Sequence, residues 1–92
     1  MQRKGAPIRI LVSNLSREIT GEQLRQEFQP YGEVTSVILF KNWYDGSSRG
    51  LAFVEMLRES GGRAAVQSLN GKLLRKRAIV VKVTRDWGEV RE

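Results

Sequence analysis

Arg49-Gly50-Leu51-Ala52-Phe53-Val54-Glu55-Met56 is the stretch on which the reading of this chain turns. It reads as a strand. Successive side chains along a strand point to opposite faces. Leu51, Phe53 and Glu55 therefore share one face, while Ala52, Val54 and Met56 share the other and have the spacing of buried positions.

Working outward, Asn42 to Ser48, with Asp45-Gly46 inside it, reads as a turn or loop. It leads back to a strand over Val34–Phe40, with Val37 and Leu39 on one face and Ile38 and Phe40 on the other. Ahead of that lies a helix with complete start chemistry. Thr20 is its N-cap, Gln23 closes a capping box three residues on, and Ile19 and Leu24 form a hydrophobic staple. Leu24 and Phe28 give the apolar stripe, and Pro30-Tyr31-Gly32 stops the helix. The first strand is Ile8–Val12, where Ile10 and Val12 face inward and Asn14-Leu15-Ser16 ends the run. After the octapeptide, residues 60–69 read as a helix burying Ala65, Val66 and Leu69. Gly61-Gly62 costs it about 1 kcal/mol per glycine relative to alanine, so it is expected to be the weaker helix. Asn70-Gly71 turns the chain into a last strand over Ala78–Val83, with Ile79 and Val81 buried. The order βαββαβ predicts an α+β, ferredoxin-like sandwich, with two helices on one face of a four-stranded antiparallel sheet. Residues 1–7 are expected to be a flexible basic tail, 8–84 the domain and 85–92 a C-terminal extension.

Composition narrows the function classes. The 92 residues hold 16 Lys and Arg against 10 Asp and Glu, a net charge of +6, which favours a polyanionic partner. Lys72, Arg75, Lys76 and Arg77 concentrate that charge as a solvated loop or a backbone-contacting patch. Cysteine and histidine are both absent, which removes thiolate chemistry, the commonest general base and the commonest metal ligand. The carboxylates are scattered, and no phosphate-loop or nucleophile-elbow motif is present. We expect no enzyme, no metal and no cofactor. No apolar run approaches the roughly 20 residues of a membrane span, so a cytoplasmic protein without membrane contact is expected.

The octapeptide resembles the signature K/R-G-F/Y-G/A-F-V-x-F/Y of the RNA-recognition motif. Arg49, Gly50, Ala52, Phe53 and Val54 match, and Leu51 and Met56 replace aromatics. The hexapeptide Ile10-Leu11-Val12-Ser13-Asn14-Leu15 resembles the family's second signature except for Leu11, where an aromatic is usual. The resemblance runs from Ile8 to about Thr84. Asn14-Leu15-Ser16, Pro30-Tyr31-Gly32-Glu33-Val34, Ser48-Arg49-Gly50, Phe53-Val54-Glu55-Met56 and Leu69-Asn70-Gly71 are similar to short single-domain bacterial RNA-binding proteins.

The resemblance implies a single-stranded RNA ligand, or single-stranded DNA, lying on the outward face of the sheet. It maps the base-stacking platform onto Leu11, Leu51 and Phe53, of which only Phe53 is aromatic, and makes Arg49 a phosphate-bridging residue. Losing two platforms at roughly 1–3 kcal/mol per base predicts modest affinity. Arg9, Lys82 and Arg85 would serve phosphates or base edges, and Asn14 the fold. Phe40 either replaces a missing platform or shields its neighbours. Trp43 and Tyr44 either stack on bases beyond the sheet or fold against their own loop. Trp87 stacks on a base, covers the sheet or stands in solvent. The alternative function is a protein-interaction module, in which the apolar face of Leu11, Ile38, Leu51, Phe53 and Val80 seats a partner or a second copy in a weak homodimer.

Overall fold

A computed structural model describes residues 6–84. The first five residues and residues 85–92, Arg85 and Trp87 included, lie outside the described residues. The elements run β1 (Ile8–Ser13), α1 (Gly21–Phe28), β2 (Val34–Lys41), β3 (Ser48–Met56), α2 (Glu59–Leu69), β4 (Leu73–Leu74), β5 (Arg77–Ala78) and β6 (Val80–Thr84). Four of the strands form one antiparallel sheet in the order β2-β3-β1-β6. The octapeptide strand thus lies inside the sheet, paired on both edges.

Register decides which side chains meet. Ile8, Ile10 and Val12 of β1 stand opposite Met56, Val54 and Ala52 of β3, and Ile10 and Val12 also stand opposite Val83 and Val81 of β6. This inner face packs on Leu24 and Phe28 of α1 and on Ala65 and Leu69 of α2, all buried. Leu15, Ile19 and Ile79, which lie in connecting segments, complete the core. Val37, Leu39 and Val66 pack against it while half-buried.

Helix α1 begins where its capping chemistry requires. The Thr20 hydroxyl accepts from the Gln23 N–H at 3.1 Å, and the Gln23 side chain accepts from the Thr20 N–H at 3.0 Å. Two donors without intrahelical partners are thereby satisfied. Helix α2 has no such cap, but its glycines serve packing. A Cβ on Gly61 would lie 2.4 Å from the Tyr31 carbonyl oxygen, and one on Gly62 would lie 2.2 Å from Cγ2 of Ile8. The glycine pair lets the helix approach the sheet and the turn after α1 closely. The expectation of a weaker second helix weighed local propensity without this contact.

The last segment differs from the single strand expected over Ala78–Val83. Leu73–Leu74 and Arg77–Ala78 pair as a separate two-stranded hairpin, and the sheet strand starts only at Val80. Two-residue strands carry too little alternation to be read from sequence. Their turn, Arg75-Lys76, also lacks the glycine or asparagine that usually marks one.

Candidate nucleic-acid interface

The sheet's outer face is built in cross-strand rows. Ser36, Glu55, Arg9 and Thr84 form one row, and Ile38, Phe53, Leu11 and Lys82 the next. Leu51, Ser13 and Val80 form the row nearest the loops. Ile38 and Val80 are each 45% exposed, so the flanks of this face are open apolar surface. Its centre is not. Phe53 is only 2% exposed, and Phe40 stands edge-on to it at 5.3 Å and 81° between ring planes. Such T-shaped pairs place a ring edge on the partner's electron-rich face. Arg9 reaches Glu55 across the strands at 3.9 Å.

Three connections gather at one end of the sheet. In the β2–β3 loop, the Asn42 N–H donates to the Ser47 carbonyl at 2.8 Å and its amide side chain donates to Ser47 Oγ at 2.7 Å. The Ser47 N–H and hydroxyl both donate to Asp45 Oδ1, at 2.9 and 2.8 Å. The Ser47 N–H, with the hydroxyl second, holds the Asp45 carboxyl below its ordinary pKa. This closed loop lifts Trp43, 92% exposed, and Tyr44, 67% exposed, into solvent, edge to face with centroids 5.6 Å apart. Two aromatics so exposed do not serve the core.

The β1–α1 loop and the β4–β5 hairpin face each other across the same end. The Leu15 N–H donates to the Gly50 carbonyl at 3.1 Å. Gly50 has a φ of +73°, and a Cβ there would lie 2.9 Å from the Leu15 carbonyl oxygen. Glycine is required on both counts. The Asn14 side chain donates to the Ala78 carbonyl at 2.9 Å, and Arg77 donates back to the backbone and side-chain oxygens of Asn14. Lys72 donates to Glu27 at 2.7 Å, and this hydrogen bond raises the lysine pKa. The basic run therefore divides by role: Lys72 and Arg77 fasten the hairpin to the domain, whereas Arg75 and Lys76 form its tip. At the tip, φ is +50° for Arg75 and +70° for Lys76. Residues with a Cβ are strained there by on the order of 1 kcal/mol or more each. Arg17, Arg49, Arg75 and Arg77 line a groove between the loop and the hairpin that opens at Ser13 and Leu51 on the sheet.

The family model for the RNA recognition motif matches residues 10–80. The chain belongs to the RNA recognition motif family. The maize chloroplastic organelle RRM domain-containing protein 1 is 35% identical over 77 residues, which cover 84% of this chain and 19% of that protein. The crystal structure of RNA binding protein PG1 superposes with a TM-score of 0.83 at 34% identity, covering 86% of this chain and 95% of that one. One chain of a Sex-lethal protein/RNA complex superposes with a TM-score of 0.78 at 27% identity, covering 83% of this chain and 47% of that one. As an RNA recognition motif, the domain carries its two signatures on adjacent strands, β1 and β3, as their register requires.

Of the site residues read from this motif's sequence, Arg9, Leu11, Phe40, Leu51, Phe53 and Lys82 share the outer face. Arg49, Trp43 and Tyr44 lie at the loop end, and Arg85 and Trp87 lie outside the described residues. Phe53 points outward as the alternation requires, but its ring is closed to solvent. The sequence reading missed Arg17. Only its position after the Asn14-Leu15-Ser16 turn could have pointed to the groove.

Proposed function

We propose that this domain is a non-enzymatic binder of single-stranded RNA that uses the outer face of its sheet. One observation carries the reading: the row Ile38, Phe53, Leu11 and Lys82 lies within the family's two signature strands and their neighbours. Bases stack on that row while Arg9, Lys82, Arg49 and Arg85 take phosphates or base edges. One structural relative, the Sex-lethal protein, carries the same fold in a complex with RNA. A strand without a complementary partner suits this face because its bases are free to be splayed onto side chains. Affinity is modest for two reasons. Leu11 and Leu51 offer no π-face, and a base reaching Phe53 must first uncover a ring that is 2% exposed.

The test is fluorescence anisotropy of a labelled randomised RNA, and of DNA of equal length, at about 50 and 200 mM salt. Micromolar binding that weakens steeply with salt supports the reading, and DNA binding as tight as RNA would extend it to both nucleic acids. No RNA binding at millimolar protein would overturn it. The half-exposed Ile38 and Val80 favour a second reading, docking of a protein or a second copy on the apolar face. Apolar association persists or strengthens as salt rises, so the same titration separates the two.

A further inference from the structure

We propose that the arginine-lined groove at the loop end of the sheet is a second RNA-backbone site. It takes the phosphates of a strand leaving the outer face, and it rests on the RNA-binding reading above. The groove opens at Ser13 and Leu51, a paired row of that face, so a chain lying on the sheet passes into it directly. Its walls carry Arg17, Arg49 and Arg75, beside an Arg77 already engaged by Asn14, and a planar guanidinium fork matches phosphate oxygens in pairs. Two carboxylates oppose them. Glu18 pairs with Arg75 at 3.2 Å, and Asp45 feels the charge of Arg17. The Glu18–Arg75 pair is solvent-exposed and therefore weak, so a phosphate can displace it.

Hydrogen bonds fasten the backbone of the groove's walls. The Leu15–Gly50 bond fixes one wall, and the bonds among Asn14, Ala78 and Arg77 fix the other. The hairpin tip supplies a separate observation. Both turn residues have the positive φ of a mirror-image turn, a geometry that favours Asn-Gly. This chain instead holds arginine and lysine there. Two long cations stand at a place where the backbone alone favours short residues, and one of them, Arg75, lies on the groove wall.

The experiment compares RNA pools of four and twelve nucleotides on the full chain. The sheet face accommodates two or three stacked bases, so only the longer pool reaches the groove. Wild type should bind the twelve-nucleotide pool more tightly and with a steeper salt dependence. R17Q/R75Q should weaken the longer pool about tenfold at ~0.1 M salt and reduce its log–log salt slope by about 1.4, because each phosphate contact to a single strand contributes about 0.7. Binding of the four-nucleotide pool should not change. R75N/K76G gives a second readout: its Tm should rise by several degrees while long-RNA affinity falls, a combination that a purely structural hairpin would not produce. Unchanged long-RNA affinity and slope in both variants, with wild type binding normally, would overturn the groove and leave the sheet reading standing. Failure of wild type to bind either pool would overturn both.

Discussion

A leucine at position 51 offers a base contact area but no π-face, and it sits where the sheet meets the groove. Leu51→Phe should therefore tighten RNA binding about tenfold, the lower part of the roughly 1–3 kcal/mol that one stacked base contributes. Fluorescence anisotropy on the short pool checks this, and unchanged affinity would remove Leu51 from the contact face. Phe53→Ala is a poorer probe of binding, because a ring 2% exposed also contributes packing. The direction of Phe53 followed from period-two alternation. Its burial did not, because contacts such as that with the Phe40 ring come from other parts of the chain and local patterning carries no such term. Gly61 shows the same limit. Sequence reasoning registers only the propensity it loses, yet a Cβ there would meet the Tyr31 carbonyl oxygen at 2.4 Å. Gly61→Ala should lower stability by about 1–3 kcal/mol despite a propensity gain of about 1 kcal/mol, since overpacking against backbone outweighs it. Urea unfolding midpoints decide the sign.

Among the elements, α1 was readable from its boundaries because its capping box is local: Thr20 and Gln23 are three residues apart and satisfy each other. Thr20→Ala should cost about 1 kcal/mol and lower Tm by about 4–8 °C for a domain of this size, as measured by thermal denaturation. The β4–β5 hairpin was not readable. Its strands have two residues each, and what holds it, Asn14 to Ala78 and Arg77 to Asn14, spans more than sixty positions of chain. The β2–β3 loop carries a pH dependence of known sign. Its carboxylate, Asp45, has a pKa below the ordinary 3.8 because the Ser47 N–H and hydroxyl stabilise the charged form. Folded below unfolded means that this contribution is fully present above the unfolded value and is lost as pH falls through the folded one. The Ser47 amide resonance should hold constant from neutral pH down to about pH 5 and move only on further acidification. Movement near neutral pH would contradict the hydrogen-bond assignment.

For the whole molecule, strand and helix order were recoverable from alternation, caps and two short signatures, because those patterns report which face each element buries. The distribution of charge was not. The net charge of +6 named a polyanion, but folding was needed to sort the cations into fasteners such as Lys72 and Arg77 and groove walls such as Arg17 and Arg75. On the proposed reading, that sorting gives RNA a path from the sheet row of Ile38, Phe53 and Leu11 over Leu51 to the loop end. Amide chemical shifts during titration with single-stranded RNA, at low and moderate salt, test this path most directly. Perturbations on Leu11, Ile38, Leu51, Phe53 and Lys82 that fade as salt rises are the expected result. Perturbations confined to the helical face, or none at millimolar RNA, would contradict it.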